Sequence, residues 1–547
     1  MIKDGKIWFA NSDGGEALVL SPGMANRHGL IAGATGTGKT VTLKVLAESF
    51  SELGVPVFMA DVKGDLAGMC ESGEESDSLR ERISRFGLDG AGFAFEKYPV
   101  TFWDIYGKKG IQLRTTISEM GPLLLSRILG LNDLQSALLS IVFKIADDEG
   151  LLLLDTKDLK AMLNYVAENN SLYAADYGNI SKVSIAAIVR ALVSLELIGG
   201  DMFFGEPAFD IRDFLSADTD GKGMIHILDS ESLIGNGMLY STFLLWLLSE
   251  LFELLPEVGD TEKPKLVFFF DEAHLLFHDA PKALTDKVEQ VVKLIRSKGV
   301  GIYFCTQNPR DIPDGVLSQL GNKIEHALHA YTPADQKAVR AAAEAFRENP
   351  AFDTYETIMA LGTGEAVISL LGEDGVPGVV EKASILPPKS LMSSIGEVKR
   401  EGVIKDSCFY LKYAEAVDPD SAYELLKRKG IEEAEAAEAA KAEEERRRQE
   451  EKEEAARQKA EEKEEAARQK AAQKEEAARQ KAEERKKEQE AKANKRAVKS
   501  VGNTVAGTVG REVGKSVGSG FGKFGKTLGG NLGASLGRGI LNTLFKI

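Results

Sequence analysis

The stretch from Gly29 to Thr42, GLIAGATGTGKTVT, constrains the fold more than any other part of the sequence. Residues 33–40 match the pattern G-x-x-x-x-G-K-[ST] of a phosphate-binding loop without a mismatch. Glycines let such a loop turn its N–H groups toward phosphate oxygens, and the positive end of the following helix adds to the attraction. The alternative is a glycine-rich turn that contains Lys-Thr by chance. An apolar strand before the motif and a helix after it favour the phosphate-binding loop.

The motif assigns a role to each residue of the loop. Lys39 is expected to reach the β- and γ-phosphates of a bound nucleotide, and Thr40 to hold Mg²⁺. The residues expected to contact the nucleotide are Gly33, Ala34, Thr35, Gly36, Thr37, Gly38, Lys39, Thr40 and Val41. ATP and Mg²⁺ are therefore the predicted ligands.

A second motif lies far downstream, where Lys265 and the five apolar residues 266–270 lead into Asp271-Glu272. In a Walker B strand the aspartate holds Mg²⁺ through water, and the adjacent glutamate orients the attacking water for in-line displacement. An apolar strand that ends in Asp-Glu is weak evidence alone. Together with the upstream loop, it predicts a site that hydrolyses nucleotide, with Asp271 at the metal and Glu272 as the catalytic carboxylate.

Two further strand ends carry polar residues. The apolar strand 300–306 ends at Gln307, whose amide is predicted to contact the γ-phosphate and sense its loss, unless it only starts a loop. The strand 55–61 runs into Asp61-Val62-Lys63-Gly64-Asp65. Ligands bind at the carboxyl ends of parallel strands, so both segments are expected near the nucleotide.

The composition indicates which cell compartment and which kinds of partner suit the protein. Three widely spaced cysteines form neither a disulfide framework nor a zinc site and fit a reducing cytosol. We find no apolar run of signal-peptide or membrane-spanning length, which predicts a cytoplasmic protein. A formal net charge of −16 gives no overall basic field for nucleic acid. A ring can nevertheless line its pore with a few Lys or Arg while its exterior stays acidic.

The 547 residues exceed the size at which one hydrophobic core stops growing, so at least two structural parts are expected. We predict an α/β fold with a mainly parallel sheet in residues 1–395 and a largely helical insertion at about 66–221. The insertion is either structural or a partner contact. The segments that follow are a connection at 396–430, a charged helix at 431–498 and a glycine-rich tail at 499–547.

The charged segment repeats the heptapeptide EEAARQK at 453, 464 and 475, a period of 11 residues. Eleven residues over three turns is close to a straight helix or a slightly right-handed coil. Because alanine supplies nearly all of its apolar content, with no Leu or Ile seam, the pattern favours a long solvated helix over a tight coiled coil.

The tail differs in composition from the charged helix. Its glycines at 507, 510, 514, 518, 522, 525, 529, 533 and 537 recur every three or four residues. Small residues at that spacing permit two helices to approach closely. The tail contains seven Lys or Arg residues and one acidic residue, Glu512. We expect an attachment element for a protein or for an anionic membrane surface at the inner face of the membrane. A disordered tail is the alternative, because glycine weakens a free helix.

The motifs GATGTGKT, DVKGD, FFFDEAHLLF and RSKGVGIYFCTQNPRDIP occur in this order and resemble the HerA and FtsK division of the additional-strand P-loop ATPases. The chain is most similar to bacterial HerA-like proteins with a charged helical C-terminal region. The resemblance covers about residues 1–395. It implies a RecA-like core, ATP hydrolysis and a hexameric ring that moves DNA.

Two departures limit what the resemblance implies. HerA proper carries a β-barrel domain ahead of its phosphate loop, whereas only residues 1–32 precede the loop here, so HerA's nuclease partner is unsupported. The charged helix and the glycine tail have no counterpart in the DNA-pumping members.

The resemblance also implies an arginine near the γ-phosphate of a neighbouring subunit. Arg296 is the first candidate and Arg310 the second. Two functions follow as hypotheses. One is an oligomeric ATP-driven motor acting on DNA, and the other is an ATP-switched assembly or scaffold protein that docks through its C-terminal region on a partner or membrane.

Overall fold

A computed structural model describes residues 1–233, 235, 237–277 and 282–495. Residues 1–436 form one compact unit, and the charged helix beyond them belongs to a second. The predicted tail at 499–547 lies outside the described residues. None of the described helices is long and apolar enough to cross a membrane.

The described residues form thirteen strands joined in one sheet. In chain order the strands are β1 (Ile2–Lys3), β2 (Lys6–Ser12), β3 (Ala17–Leu20), β4 (Gly29–Ala32), β5 (Val57–Asp61), β6 (Val100–Asp104), β7 (Ile111–Gln112), β8 (Ile225–Asp229), β9 (Leu266–Phe270), β10 (Val300–Thr306), β11 (Asn322–His326), β12 (Glu365–Ser369) and β13 (Glu381–Ile385).

The α-helices of the described residues surround and follow this sheet. They are α1 (Pro22–Ala25), α2 (Lys39–Glu52), α3 (Asp77–Arg85), α4 (Ile117–Ile128), α5 (Asp133–Glu149), α6 (Thr156–Glu168), α7 (Asn170–Tyr177), α8 (Lys182–Leu197), α9 (Gly237–Leu254), α10 (Lys282–Ile295), α11 (Asp314–Leu317), α12 (Pro333–Glu344), α13 (Thr354–Ala360), α14 (Glu397–Asp406), α15 (Tyr410–Tyr413) and α16 (Ala422–Lys495).

The sheet has a parallel part and an antiparallel part. Across it the strands follow the order β1, β2, β13, β12, β11, β4, β10, β9, β5, β8, β6, β7, and β3 pairs with β2 outside this order. Every neighbouring pair from β11 to β7 is parallel. The amino-terminal strands join β12 and β13 as an antiparallel extension. The prediction of an α/β fold with a mainly parallel sheet is confirmed.

The parallel strands are buried on both faces, which explains their continuous apolar runs. Alternate residues of these strands belong to two different hydrophobic cores. Leu30, Phe58 and Phe268 belong to the core that the insertion helices and α9 cover, while their strand neighbours Ile31 and Met59 belong to the core beneath α2. Successive side chains of a strand point to opposite faces, so one apolar run builds both layers.

The predicted insertion contains α3 to α8, and it also adds strands to the sheet. Strand β6 pairs with β8, and the two-residue β7 pairs with β6 at the edge of the sheet. Strands β7 and β13 and helices α7, α13 and α14 were not predicted from the sequence. Each is short or lacks a long periodic pattern, which is the signal that prediction from sequence relies on.

The long helix begins at Ala422, ahead of the composition change that marked its predicted start. The Glu424 carboxylate accepts a hydrogen bond from the Ser421 N–H at 3.1 Å, as in a capping box. This Ser-x-x-Glu signal was present in the sequence. Every side chain from Lys427 to Lys487 is exposed, as expected for a solvated helix.

Candidate active site

The strand order brings the predicted site residues to one edge of the sheet. Strand β10 lies between β4, which leads into the phosphate-binding loop, and β9, which leads into Asp271 and Glu272. All three strands are parallel, so their carboxyl ends lie side by side. Gln307 follows β10 and therefore lies between the loop and the catalytic carboxylate.

The phosphate-binding loop has the backbone that its glycines predict. Gly33, Gly36 and Gly38 have φ values of 148°, 78° and 115°. At Gly33 a Cβ atom would lie 2.5 Å from the Cβ of His326, so a side chain there would collide with β11. All three glycines are therefore suited to the turn, and Gly33 is also required for the close packing of the loop on β11.

Lys39 is buried at the start of α2 and its ammonium lies inside the loop. Its Nζ donates hydrogen bonds to the carbonyl oxygens of Gly33 at 2.6 Å and Ala34 at 2.9 Å. Burial lowers the pKa of Lys39 below its ordinary value. A buried cation gains most from an anionic partner, so this lysine fits a phosphate.

The other predicted loop residues lie around Lys39. Thr37 Oγ1 donates to the Ala34 carbonyl at 2.7 Å and tightens the loop. Thr35 is exposed, and its hydroxyl donates to Gln307 Oε1 at 3.2 Å. Val41 lies in the first turn of α2 and packs against the core beneath that helix.

Thr40 has a carboxylate partner, Asp65, for which no individual role was predicted. Its hydroxyl donates to Asp65 Oδ2 at 3.3 Å, and the second oxygen of Asp65 is buried without a hydrogen bond. Hydroxyl and carboxylate oxygens are the ligands that Mg²⁺ prefers. Thr40 and the unpaired Asp65 oxygen therefore suit the predicted metal position.

Asp271 is buried at the end of β9. Burial raises its pKa to about 6, and the neighbouring charge of Glu272 acts in the same direction. A second buried carboxylate, Asp61, has its pKa raised to about 7, first by burial and then by Asp65. Carboxylates that repel one another bind a divalent cation well, because the cation removes the repulsion.

Glu272 is held by residues from two other strands. Lys63 Nζ lies 2.5 Å from its Oε1, and Gln307 Nε2 lies 3.0 Å from Oε1 and 3.2 Å from Oε2. Burial opposes ionisation of Glu272, but the bonds from Lys63 and Gln307 outweigh it, so its pKa lies below the ordinary value. Its φ of 47° is a strained value for a side chain other than glycine.

The two arginine candidates lie at opposite ends of β10. Arg296 precedes the strand and forms an exposed ion pair with Asp260 at 3.0 Å. Arg310 lies in the turn that follows Gln307 and is exposed. Arg296 is thus at the far edge of the sheet from the phosphate-binding loop of its own subunit.

The segment from Asp61 to Asp65 was expected near the nucleotide, but no role was predicted for Asp61, Lys63 or Asp65, and His326 was not predicted to lie in the site. A signal existed for the first three, because DVKGD follows a buried strand as DEAH does. His326 packs under the loop, where its Nε2 lies 2.8 Å from Thr42 Oγ1 and its Nδ1 2.8 Å from the Glu365 carbonyl oxygen. Nothing in the local sequence distinguishes this histidine from an ordinary core residue.

Comparison with known proteins identifies the family. The model for the helicase HerA-like C-terminal family matches residues 8–526. The chain belongs to the HerA-like family. It is 24% identical over 356 residues to the DNA double-strand break repair helicase HerA of Sulfurisphaera tokodaii, a match that covers 62% of each protein. It is 28% identical over 171 residues to the protein of the same name from Sulfolobus acidocaldarius, covering 30% of this chain and 33% of that protein. The chain thus spans less than two thirds of these relatives.

Solved structures with a similar arrangement are more distant. The plasmid coupling protein TrwB with an ATP analogue has a TM-score of 0.47 and 16% identity, covering 68% of this chain and 88% of that one. VirB4 of Thermoanaerobacter pseudethanolicus has a TM-score of 0.43 and 16% identity, covering 70% and 98%.

Family membership and the intact motifs make this HerA-like chain a P-loop ATPase with ATP and Mg²⁺ as its ligands. The resemblance to the HerA and FtsK division is confirmed. The roles of individual residues remain predictions, and the geometry is compatible with them. Lys39, Thr40, Asp271, Glu272 and Gln307 meet at one edge of the sheet.

Proposed function

We propose that this HerA-like ATPase is an oligomeric motor that acts on DNA. The observation that carries the proposal is the contact of Gln307 with both Glu272 and the loop residue Thr35. This contact connects the predicted catalytic carboxylate, through one amide, to the loop that holds phosphate. A connection of this kind allows the loss of the terminal phosphate to move β10, which is the step that converts hydrolysis into motion.

In the proposed reaction Lys39 binds and neutralises the phosphates, and Thr40 and Asp271 hold Mg²⁺. Glu272 orients water and accepts its proton. Gln307 positions Glu272 and responds to the terminal phosphate. The metal supplies charge neutralisation for the departing phosphate when it is bound.

ATPase assays with and without single- and double-stranded DNA test the motor. A motor is expected to hydrolyse ATP faster when its DNA substrate is present. Equal rates with and without either DNA would contradict the proposal. The wild-type rate without DNA serves as the baseline, and Lys39→Ala serves as the control that should lose nucleotide binding.

The proposed oligomer has six subunits, with Arg296 reaching the γ-phosphate of a neighbour and Arg310 as the second candidate. A finger of this kind contributes about 10³-fold or more to the rate. Arg296→Ala and Glu272→Gln subunits, each inactive alone, are expected to recover activity when mixed, because some interfaces then combine an intact arginine with an intact glutamate. No recovery would assign Arg296 a role within its own subunit.

A scaffold protein that assembles in response to ATP is the second candidate function. Residues 427–487 of α16 favour it, because a long charged helical segment with every residue exposed is suited to contact a partner. This function predicts assembly that depends on nucleotide, without stimulation of hydrolysis by DNA. Light scattering with ATP, ADP and no nucleotide separates it from the motor.

We also propose that residues 499–547 attach the protein to an anionic surface such as the inner face of the membrane. The support is the cationic excess and the glycine spacing of the sequence. Truncation at Lys499 is expected to leave oligomers intact but to abolish flotation with anionic vesicles. Loss of oligomers would indicate that the tails associate with each other, and unchanged flotation would mean that the tail is passive.

A further inference from the structure

The segment from Asp61 to Leu66, called here the β5 loop, is built as a rigid base for one lysine. The Asp61 carboxylate accepts hydrogen bonds from the N–H groups of Lys63 at 3.2 Å, Gly64 at 2.7 Å and Leu66 at 3.1 Å. Three bonds to one buried carboxylate fix the backbone of the loop. The Lys63 side chain therefore extends from a fixed point, and only its flexible stem can move.

The ion pair between Lys63 and Glu272 is asymmetric in burial. The Glu272 side chain is 6% exposed, whereas the Lys63 side chain is 42% exposed. A buried carboxylate needs a partner, but a half-exposed ammonium loses little when it leaves, because water replaces the bond. When the pair separates, Lys63 is therefore the side chain that moves into water, while Glu272 stays buried.

Glu272 cannot act as a base while this arrangement lasts. Its Oε1 accepts bonds from Lys63 and Gln307, and its Oε2 accepts one from Gln307. A carboxylate whose oxygens are engaged by donors is a poor acceptor for a proton from water. This geometry therefore disfavours transfer of a proton from water to Glu272.

Lys63 also lies close to the phosphate-binding residues. Burial is the main cause of the lowered pKa of Lys39, and the positive charge of Lys63 contributes in the same direction. At the other end of the β5 loop, Asp65 accepts the Thr40 hydroxyl at 3.3 Å. One short loop thus contacts the carboxylate half and the phosphate half of the site.

We infer that Lys63 alternates between two partners, binding Glu272 in the nucleotide-free protein and the terminal phosphate of ATP after it binds. A terminal phosphate carries more negative charge than a carboxylate, so it attracts the ammonium more strongly. When Lys63 moves, Glu272 Oε1 keeps only its bond from Gln307 and gains room to accept the proton of the attacking water. Lys63 itself forms no covalent bond. The inference rests on the ATP site of the proposed function.

Nucleotide affinities test the inference without measuring turnover. A non-hydrolysable ATP analogue and ADP, each with Mg²⁺, are titrated by calorimetry into wild type and Lys63→Met. The variant is expected to bind the analogue about tenfold more weakly, the loss of one charge-assisted bond, and to bind ADP as wild type does. ADP binding also shows that the variant is folded.

Lys6→Met is the matched control. Lys6 is 40% exposed and pairs with Glu373 at 2.9 Å, and its strand β2 is separated from β4 by three strands of the sheet. It is expected to change neither affinity. Lys63→Arg retains the charge and is expected to retain the preference for the analogue over ADP.

Glu272→Gln tests the other partner. Removing the carboxylate charge releases Lys63 before nucleotide binds, so the analogue is expected to bind several-fold more tightly than to wild type. This gain should be absent when Lys63→Met is added. Failure of wild type to bind either nucleotide would overturn the ATP site and this inference together. Normal binding to wild type, with Lys63→Met weakening both ligands equally or neither, would overturn only the inference and make the pair structural.

Discussion

The Lys63–Glu272 pair at the edge of the sheet and the Glu464–Arg468 pair on α16 join the same charges in different surroundings. The N···O distances are 2.5 and 3.1 Å. The Glu272 side chain is 6% exposed and that of Glu464 is 69% exposed. Water competes for the second pair, which holds it to about 0.3–0.5 kcal/mol. A buried carboxylate needs specific partners, whereas an exposed one is solvated by water. The burial of Glu272 therefore gives its contacts with Lys63 and Gln307 a larger effect than the exposed pair on α16 has.

The largest difference is expected when the same substitution is made in both regions. Glu272→Gln should lower ATP turnover about 10³-fold, because an amide can hold water but cannot accept its proton. ATP binding should persist. Glu464→Gln should leave turnover unchanged. Phosphate release and nucleotide binding check both, and normal turnover in Glu272→Gln would remove it from the reaction.

Arg400 offers a buried pair outside the proposed chemistry. On α14 it contacts Asp229 at 3.1 Å, with side chains 12% and 3% exposed, and its guanidinium lies over the Phe102 ring. Arg400→Met keeps much of the packing but leaves Asp229 buried without its arginine. The free energy of unfolding should fall by about 3 kcal/mol. Denaturant titration measures it, and a change below about 1 kcal/mol would show that burial does not decide the effect.

Ionisation of the buried Asp271 carboxylate should lower the free energy of unfolding of the protein without ligand. Its folded pKa of about 6 lies above its ordinary value of 3.8, so the cost is absent below pH 4, grows between pH 4 and 6 and is complete above pH 6. Asp271→Asn should stabilise the nucleotide-free protein by about 2 kcal/mol at pH 7.5 and by about half of that at pH 5. Thermal melting at both pH values checks the sign. Equal gains at the two pH values would exclude the carboxylate as the cause.

The smallest effect is expected on α16. Arg468→Met removes the exposed pair with Glu464 but buries nothing new. The helix content measured by circular dichroism should match that of wild type. The free energy of unfolding obtained from thermal melting should differ by less than about 0.5 kcal/mol. A larger loss would indicate that this face of α16 is covered in solution.

The sequence predicted those parts of the molecule whose signal is local. The phosphate-binding loop and the apolar strands 266–270 and 300–306 each carry their pattern within a few residues. The contact of Gln307 with Glu272 depends on β10 lying between β4 and β9, which is a property of the strand order. No single segment encodes that order, although the family resemblance implies it.

Other parts depended on tertiary contacts that the sequence does not display. His326 is a loop-packing residue only because β11 lies beside β4. Lys63 looked like a charged residue after a strand, and its partner Glu272 lies 209 positions away. The start of α16 was placed too late, since the change in composition was given more weight than the capping signal at Ser421.

Strand β10 has a consequence for timing in a ring. It begins four residues after Arg296 and is followed directly by Gln307, and its seven residues span about 23 Å. If Arg296 reaches the nucleotide of the next subunit, one stiff strand has a separate ATP molecule at each end. A shift of Gln307 after hydrolysis would then pull or push the arginine along the strand axis. Hydrolysis in one subunit would then alter the site of the next subunit through β10 itself, and the subunits would hydrolyse ATP in turn.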